Sequence, residues 1–160
     1  MNIRIGQGYD VHILSEDRQL WLGGIKIEHT KGLYGHSDAD ALIHAICDAL
    51  LGAANLRDIG HHFPDTDPKY KGVDSKILLK ETTQLIRRHG YELGNIDATI
   101  VAEQPKLNPH IPAMRETMAE VMGVSPDDIS IKATTSERMG FAGREEGMAV
   151  HAVALIYKAR

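Results

Sequence analysis

The chain has one cysteine, Cys47, in 160 residues. A single thiol cannot close a disulfide within the chain or supply a cysteine-rich structural zinc site, and it suits a reducing compartment. Excess positive charge is also missing. The formal net charge is −4, so nothing marks the chain for nucleic acid or an anionic membrane. No apolar run approaches a membrane span, and the opening "MNIRIGQGYD" has neither the apolar core of a secretion signal nor a transit-peptide composition. No G-x-S-x-G elbow, G-x-x-x-x-G-K-[ST] loop or Rossmann glycine fingerprint occurs. Repeats, low-complexity tracts and long linkers are likewise absent. The expectation is one cytoplasmic domain over residues 1–160, and 42% hydrophobic with 25% charged residues suits a soluble globular core.

Alternating Ile3 and Ile5 predict a short strand. Leu20 and Leu22 face Ile25 and Ile27 across Gly23-Gly24, the signature of a two-residue hairpin. "HSDADALIHAICDALLGAAN" predicts a helix, with Ser37 as N-cap and Asp40 three residues on completing a capping box. A second helix runs through "SKILLKETTQLIRR", capped by Asp74 and ended near Gly90, and a third through "IPAMRETMAEVMG". Pro126 predicts one tight turn, and "NIDATIVAE", "ISIKATT" and "MAVHAVALIY" predict strands. The last is apolar on both parities, so both faces should be covered, one of them by a symmetric partner. The fold class expected is α+β, a single layer of mixed sheet with helices on one face and the other face packed in an oligomer.

Chemistry is concentrated in four places. In "GYDVH" an extended backbone puts Asp10 and His12 on one face, offering an oxygen and a nitrogen suited to zinc. The first predicted helix is apolar nearly all round, with Leu42, Ala45, Ile46, Ala49 and Ala53 as its buried stripe. It leaves only a narrow strip of Asp40, His44 and Asp48. His44 could be a third ligand, its ring oriented by Asp40 or Asp48; a core histidine satisfied by either aspartate is the plainer alternative. Three ligands would leave a fourth position open, as in catalytic zinc. "RDIGHHFPDTDPKYKG" has neither helical nor strand period and is either a plain turn-rich loop or a mobile one over a ligand. "KATTSERMGFAGREEG" offers Lys132, Thr134, Thr135, Ser136 and Arg144 as donors, with Glu137 as a carboxylate for a hard cation held with phosphates. Cys47 falls on the apolar side of its helix, where a thiol is inert.

Taken in order, "GYDVH", "HSDAD" with His44, "DIGHHFPDTDP", "QPKLNPHI", "KATTSE" and "GFAGREEG" resemble the 2-C-methyl-D-erythritol 2,4-cyclodiphosphate synthase family over nearly the whole chain. The resemblance implies conversion of 4-diphosphocytidyl-2-C-methyl-D-erythritol 2-phosphate into the cyclic diphosphate and CMP. It implies one Zn²⁺ per subunit on Asp10, His12 and His44, and Mg²⁺ or Mn²⁺ at Glu137. It assigns substrate phosphates to His36 and Ser37, and transition-state stabilisation to His36 and Thr135. Asp58 and Gly60 would hold the methylerythritol part, with the loop Phe63, Pro64, Asp65, Thr66 and Asp67 closing beside it. Ala102, Pro105, Lys106, Leu107 and Asn108, with Ala133, Thr134, Thr135 and Ser136, would form the cytidine and phosphate pocket. A homotrimer is implied, with active sites between subunits and Phe141 and Arg144 near an axis that can hold an isoprenoid-like ligand. Tyr9, Ser136 and Glu145 depart mildly from the family pattern without removing a ligand. The residues by themselves also allow a metal-dependent phosphoesterase or a binding oligomer without turnover.

Overall fold

A mixed five-stranded sheet organises the chain, described by a computed structural model over residues 2–159. The strands are β1 (Ile3–Ser15), β4 (Gly32–Tyr34), β5 (Tyr91–Val101), β6 (Ile129–Thr134) and β7 (Gly147–Lys158), in the order β4-β1-β7-β5-β6. The pair β5–β6 is parallel and the other three pairings are antiparallel. A separate hairpin joins β2 (Leu20–Leu22) to β3 (Ile25–Ile27) through Gly23 and Gly24, both at positive φ, as the glycine pair predicts. The helices α1 (Ala41–Ala53), α3 (Ser75–Arg88) and α4 (Ile111–Met122) form one layer; α1 lies on β1 and β7, α4 on β6, and α3 between the two helices. The α+β class is as expected. No helix among the described residues is long and apolar enough to cross a membrane.

The side-chain alternation of β1 decides where the site forms. Gly6 and Gly8 are buried under α1, while Ile3, Ile5, Tyr9, Val11 and Ile13 point to the opposite, open face. A β-carbon on Gly6 would come within 1.9 Å of the Ala49 carbonyl oxygen, and one on Gly8 equally close to that of Ala45. Glycine on the strand and alanine on the helix thus bring two backbones into contact. This close approach sets His44 of α1 over Asp10 and His12 of β1. β7 follows the same rule, with Met148, Val150, Ala152, Ala154 and Ile156 buried and Val153 and Tyr157 open.

Several expectations need correction. The first helix begins a turn later than predicted, and its N-cap is Asp40, not Ser37. The fully buried Asp40 carboxylate accepts the N–H groups of Ile43 (3.0 Å), Gly23 (2.9 Å) and Gly24 (2.7 Å), so one side chain both caps the helix and fastens the β2–β3 hairpin. Burial, with the Asp38 charge nearby, pushes that carboxyl up against the pull of these donors. β1 runs for 13 residues instead of a short stretch, and β5 begins at Tyr91, with an irregularity between Leu93 and Asn95. The aperiodic segment after α1 contains a one-turn helix, α2 (Ile59–His62), capped by Asp58, and a 3₁₀ turn at Pro68–Tyr70 capped by Asp67. A matching 3₁₀ turn at Pro126–Asp128 is the one predicted.

Candidate metal centre

Asp10 and His12 of β1 come together with His44 of α1 where the strand and helix pack closely. His12 Nε2 lies 2.9 Å from Asp10 Oδ2; His44 Nδ1 lies 3.3 Å from that oxygen and 3.3 Å from His12 Nε2. Three ligands on a tetrahedral ion with bonds of about 2.0–2.1 Å would stand about 3.3–3.4 Å apart, so the triangle fits such an ion with little movement. The far nitrogens point elsewhere: His12 Nδ1 meets the Tyr34 carbonyl oxygen at 2.9 Å, and His44 Nε2 meets Ser75 Oγ at 2.9 Å and Ser37 Oγ at 3.2 Å. Gly35 makes room for the His12 ring, since a β-carbon there would approach its Cε1 at 2.9 Å.

Asp10 Oδ2 is buried and finds no hydrogen-bond donor once the imidazole protons sit on the far nitrogens. Lone pairs converging on one point without a positive charge between them repel, so the donor set suits a cation. Without an ion, a proton on His12 Nε2 can fill the same place by facing Asp10 Oδ2. Burial pushes the Asp10 carboxyl up, but its interactions with the His12 and His44 rings outweigh that and hold it below the usual range. Burial lowers His12, and the Asp10 carboxylate more than reverses this, so its ring holds a proton to higher pH than usual.

The predicted polar strip on α1 is covered, but it does not orient His44. Asp40 serves the hairpin, and Asp48 accepts the Ile59 N–H at 2.8 Å, fastening α2. Burial pushes the Asp48 carboxyl up. Ser75 is the residue on the ring instead, a partner 31 positions away that no local pattern discloses.

A cleft of about 350 Å³ opens beside the triangle, lined by His36, Ser37, Gly60, Phe63 and Asp65 among the expected residues, with Tyr70 in addition. Asp58 caps α2, whose Ile59 and Gly60 line this cleft, while Pro64, Thr66 and Asp67 belong to the same loop as Phe63 and Asp65 without lining it. A second cleft, of about 340 Å³, is lined by Ala102, Glu103, Pro105, Lys106, Leu107, Asn108, Ala133, Thr134 and Thr135, all from the two segments singled out in the sequence. Ser136 and Glu137 lie on the loop beyond it. Glu103 accepts the N–H groups of Ser136 (3.0 Å) and Arg138 (3.2 Å), bracing a loop in which Glu137 and Arg138 both have positive φ. Glu137 accepts from Thr135 Oγ1 at 3.0 Å and belongs to no cluster of ligating side chains among the described residues. It therefore suits a magnesium ion only together with substrate phosphates. Phe141 lies on the short helix α5 (Gly140–Gly143), and Arg144, just past it, pairs with Glu146.

The two clefts do not meet within one chain. Asp10 aligns with Val150, Val150 with Ile100 and Ile100 with Ala133. They therefore share an end of the sheet but stand three strands apart, about 14 Å at the usual strand spacing.

A sequence model of the YgbB family matches residues 3–157. The chain belongs to that family. Its YgbB relatives include a protein of Parabacteroides distasonis named 2-C-methyl-D-erythritol 2,4-cyclodiphosphate synthase, 70% identical over 99% of this chain and 98% of that one. A Bacteroides thetaiotaomicron protein of the same name is 66% identical over 99% of each. Among solved structures, the bifunctional IspDF of Campylobacter jejuni matches with a TM-score of 0.94 at 45% identity, over 98% of this chain and 42% of that longer one. IspF of Plasmodium falciparum, in a CDP complex, matches with a TM-score of 0.87 at 33% identity, over 99% of this chain and 98% of that one.

Proposed function

We propose that this YgbB-family chain is a single-domain, cytoplasmic 2-C-methyl-D-erythritol 2,4-cyclodiphosphate synthase, a phosphorus–oxygen lyase. It would release CMP from 4-diphosphocytidyl-2-C-methyl-D-erythritol 2-phosphate as the 2-phosphate attacks the β-phosphorus. The observation that carries this is the Asp10–His12–His44 triangle opening onto a cleft, in a chain 70% identical to a synthase of that name. Zn²⁺ on Asp10, His12 and His44, and Mg²⁺ or Mn²⁺ near Glu137, would supply Lewis-acid charge neutralisation and a template for the phosphates.

The chain's own groups then have a modest task. The nucleophile is a phosphate whose second pKa is about 6, so it is largely dianionic at neutral pH and needs no strong base. His36 and Ser37 would bind the phosphates from the cleft wall, and Thr135 with His36 would stabilise the charge of the transition state. Asp58 and Gly60 would hold the methylerythritol hydroxyls, while the Phe63–Asp67 loop would exclude water. Alignment and charge neutralisation are enough for such a transfer.

The cytidine end would sit in the second cleft, against Ala102, Lys106 and Thr134. A CDP complex of the Plasmodium falciparum relative supports a cytidine diphosphate ligand. The two clefts share no lining residue within one chain, and a homotrimer in which one subunit's metal cleft faces a neighbour's cytidine cleft would join them into one substrate site. The open apolar face of β1 and β7 would then be the buried centre of the trimer, and Phe141 and Arg144 would border an axial cavity able to take an isoprenoid-like ligand.

Phosphorus NMR of the protein with this substrate, Zn²⁺ and Mg²⁺ is the test. A cyclic diphosphate and CMP, lost in a folded Asp10→Ala variant, are expected; ring-opened phosphate products would make the chain a phosphoesterase instead.

A further inference from the structure

Ser75, fully buried at the first position of α3, has a hydroxyl with two partners. It stands 2.9 Å from Nε2 of His44 and makes a short contact to Oδ1 of Asp38. A hydroxyl has one proton to give, and a carboxylate is the stronger acceptor, so the proton goes to Asp38. The lone pair left on Ser75 Oγ can then only accept from a protonated Nε2 of His44. Asp38 is itself fixed. Its Oδ2 accepts the Ser75 N–H at 2.9 Å, its Oδ1 accepts the Asp40 N–H at 3.1 Å, and its own N–H donates to Val73 O at 3.2 Å. Ser37 is the weaker contact to the ring, at 3.2 Å, and already accepts the Ala39 N–H.

We propose that Ser75, held by Asp38, is a positioning residue that selects the His44 tautomer with a proton on Nε2 and a free lone pair on Nδ1, the nitrogen facing Asp10 and His12. The inference rests on the metal-centre part of the proposed function and adds the groups that prepare it. Any rotation of the Ser75 hydroxyl toward His44 would cost Asp38 Oδ1 its hydroxyl donor, leaving it only the Asp40 N–H, and would favour the tautomer with the proton inside the triangle, where an ion could not bind. The same aspartate ties the root of the loop preceding α3 to the segment that carries His36 and Ser37.

The test is zinc binding by chelator competition, with zinc alone, paired with long-range proton–nitrogen spectra of the histidine rings in ion-free protein at about pH 8.5. In the wild type the His44 ring should carry its proton on Nε2. Ser75→Ala should lose that preference and bind zinc about 10- to 100-fold more weakly, the usual effect of removing a ligand's outer partner. Asp38→Ala should do the same although Ser75 remains. A folded Ser75→Ala protein with wild-type zinc affinity would overturn the inference. So would a wild-type ring protonated on Nδ1, a result that stands even if the variants fail to fold. Wild-type protein that binds no zinc would overturn the metal centre itself, and this inference with it.

Discussion

Ala45 sits so close over Gly8 that a single added methyl group would lie 1.9 Å from its carbonyl oxygen. That contact sets the distance between the strand bearing Asp10 and His12 and the helix bearing His44. Gly8→Ala should therefore damage stability and metal affinity together. Overpacking costs about 1–3 kcal/mol, and a backbone collision falls at or above the top of that range. Thermal melts and zinc titration of the same sample would show both losses; a variant that melts normally and binds zinc normally would refute the spacer role.

Zinc should stabilise the folded chain by mass action, by about 2.7 kcal/mol at a free concentration one hundred times the dissociation constant. Chelation should lower the melting temperature, and His12→Ala should melt alike with and without zinc. The pH dependence has a definite sign. In ion-free protein His12 is raised above its ordinary 6.5, so its pairing with Asp10 stabilises fully below that value and fades as pH rises through the folded one. Zinc needs the neutral ring, so the gap between loaded and ion-free melting temperatures should widen from about pH 6 to about pH 8. A constant gap would argue against His12 as a ligand.

The features legible in the sequence were those with a local period. The spacing of Asp10 and His12 on a strand, and the i, i+4, i+8 strip on α1, were enough to bring the ligands into one hypothesis, and the glycine pair at positions 23 and 24 announced the hairpin. What escaped was long-range. Ser37 looked like the better cap because nothing near Asp40 reveals that Gly23 and Gly24 need its carboxylate. Ser75 and Glu103 act on partners 31 and 33 positions away, distances over which sequence has no periodicity to offer. β4, three residues long, is too short to show alternation.

Glu103 braces the loop that carries Thr135 and Glu137. Glu103→Ala should leave the Ser136 and Arg138 N–H groups without their acceptor and release a loop with two consecutive positive-φ residues. CDP should bind about tenfold more weakly by calorimetry, about 1.4 kcal/mol, while zinc affinity stays unchanged. Equal loss of both would mean a general collapse and not a local brace.

Ile5 points away from α1 and is 69% exposed, opposite Leu155 on β7. If that face is the trimer's centre, Ile5→Glu should give monomers in sedimentation velocity. Turnover should fall at least about a hundredfold, as burying an unpaired charge costs several kcal/mol, with zinc binding retained. A trimer that survives the charge would place the interface elsewhere.

Cys47 is wholly buried, which pushes its thiol up to about 12. Maleimide at neutral pH should leave the folded protein unlabelled and modify one site per chain in denaturant. Labelling of native protein at an appreciable rate would reveal opening of α1 from the sheet.

The strand at the middle of the sheet, β7, follows the other four strands of that sheet in chain order. While a ribosome is still producing the chain, β4–β1 and β5–β6 exist only as two ribbons with facing unpaired edges, and neither can complete the layer beneath α1. Residues 147–158 join them in one event, as the keystone of an arch does. Closure of the sheet is thus deferred until residues 147–158 have been made, and exposure to misassociation is greatest while two half-sheets wait for the strand that separates them.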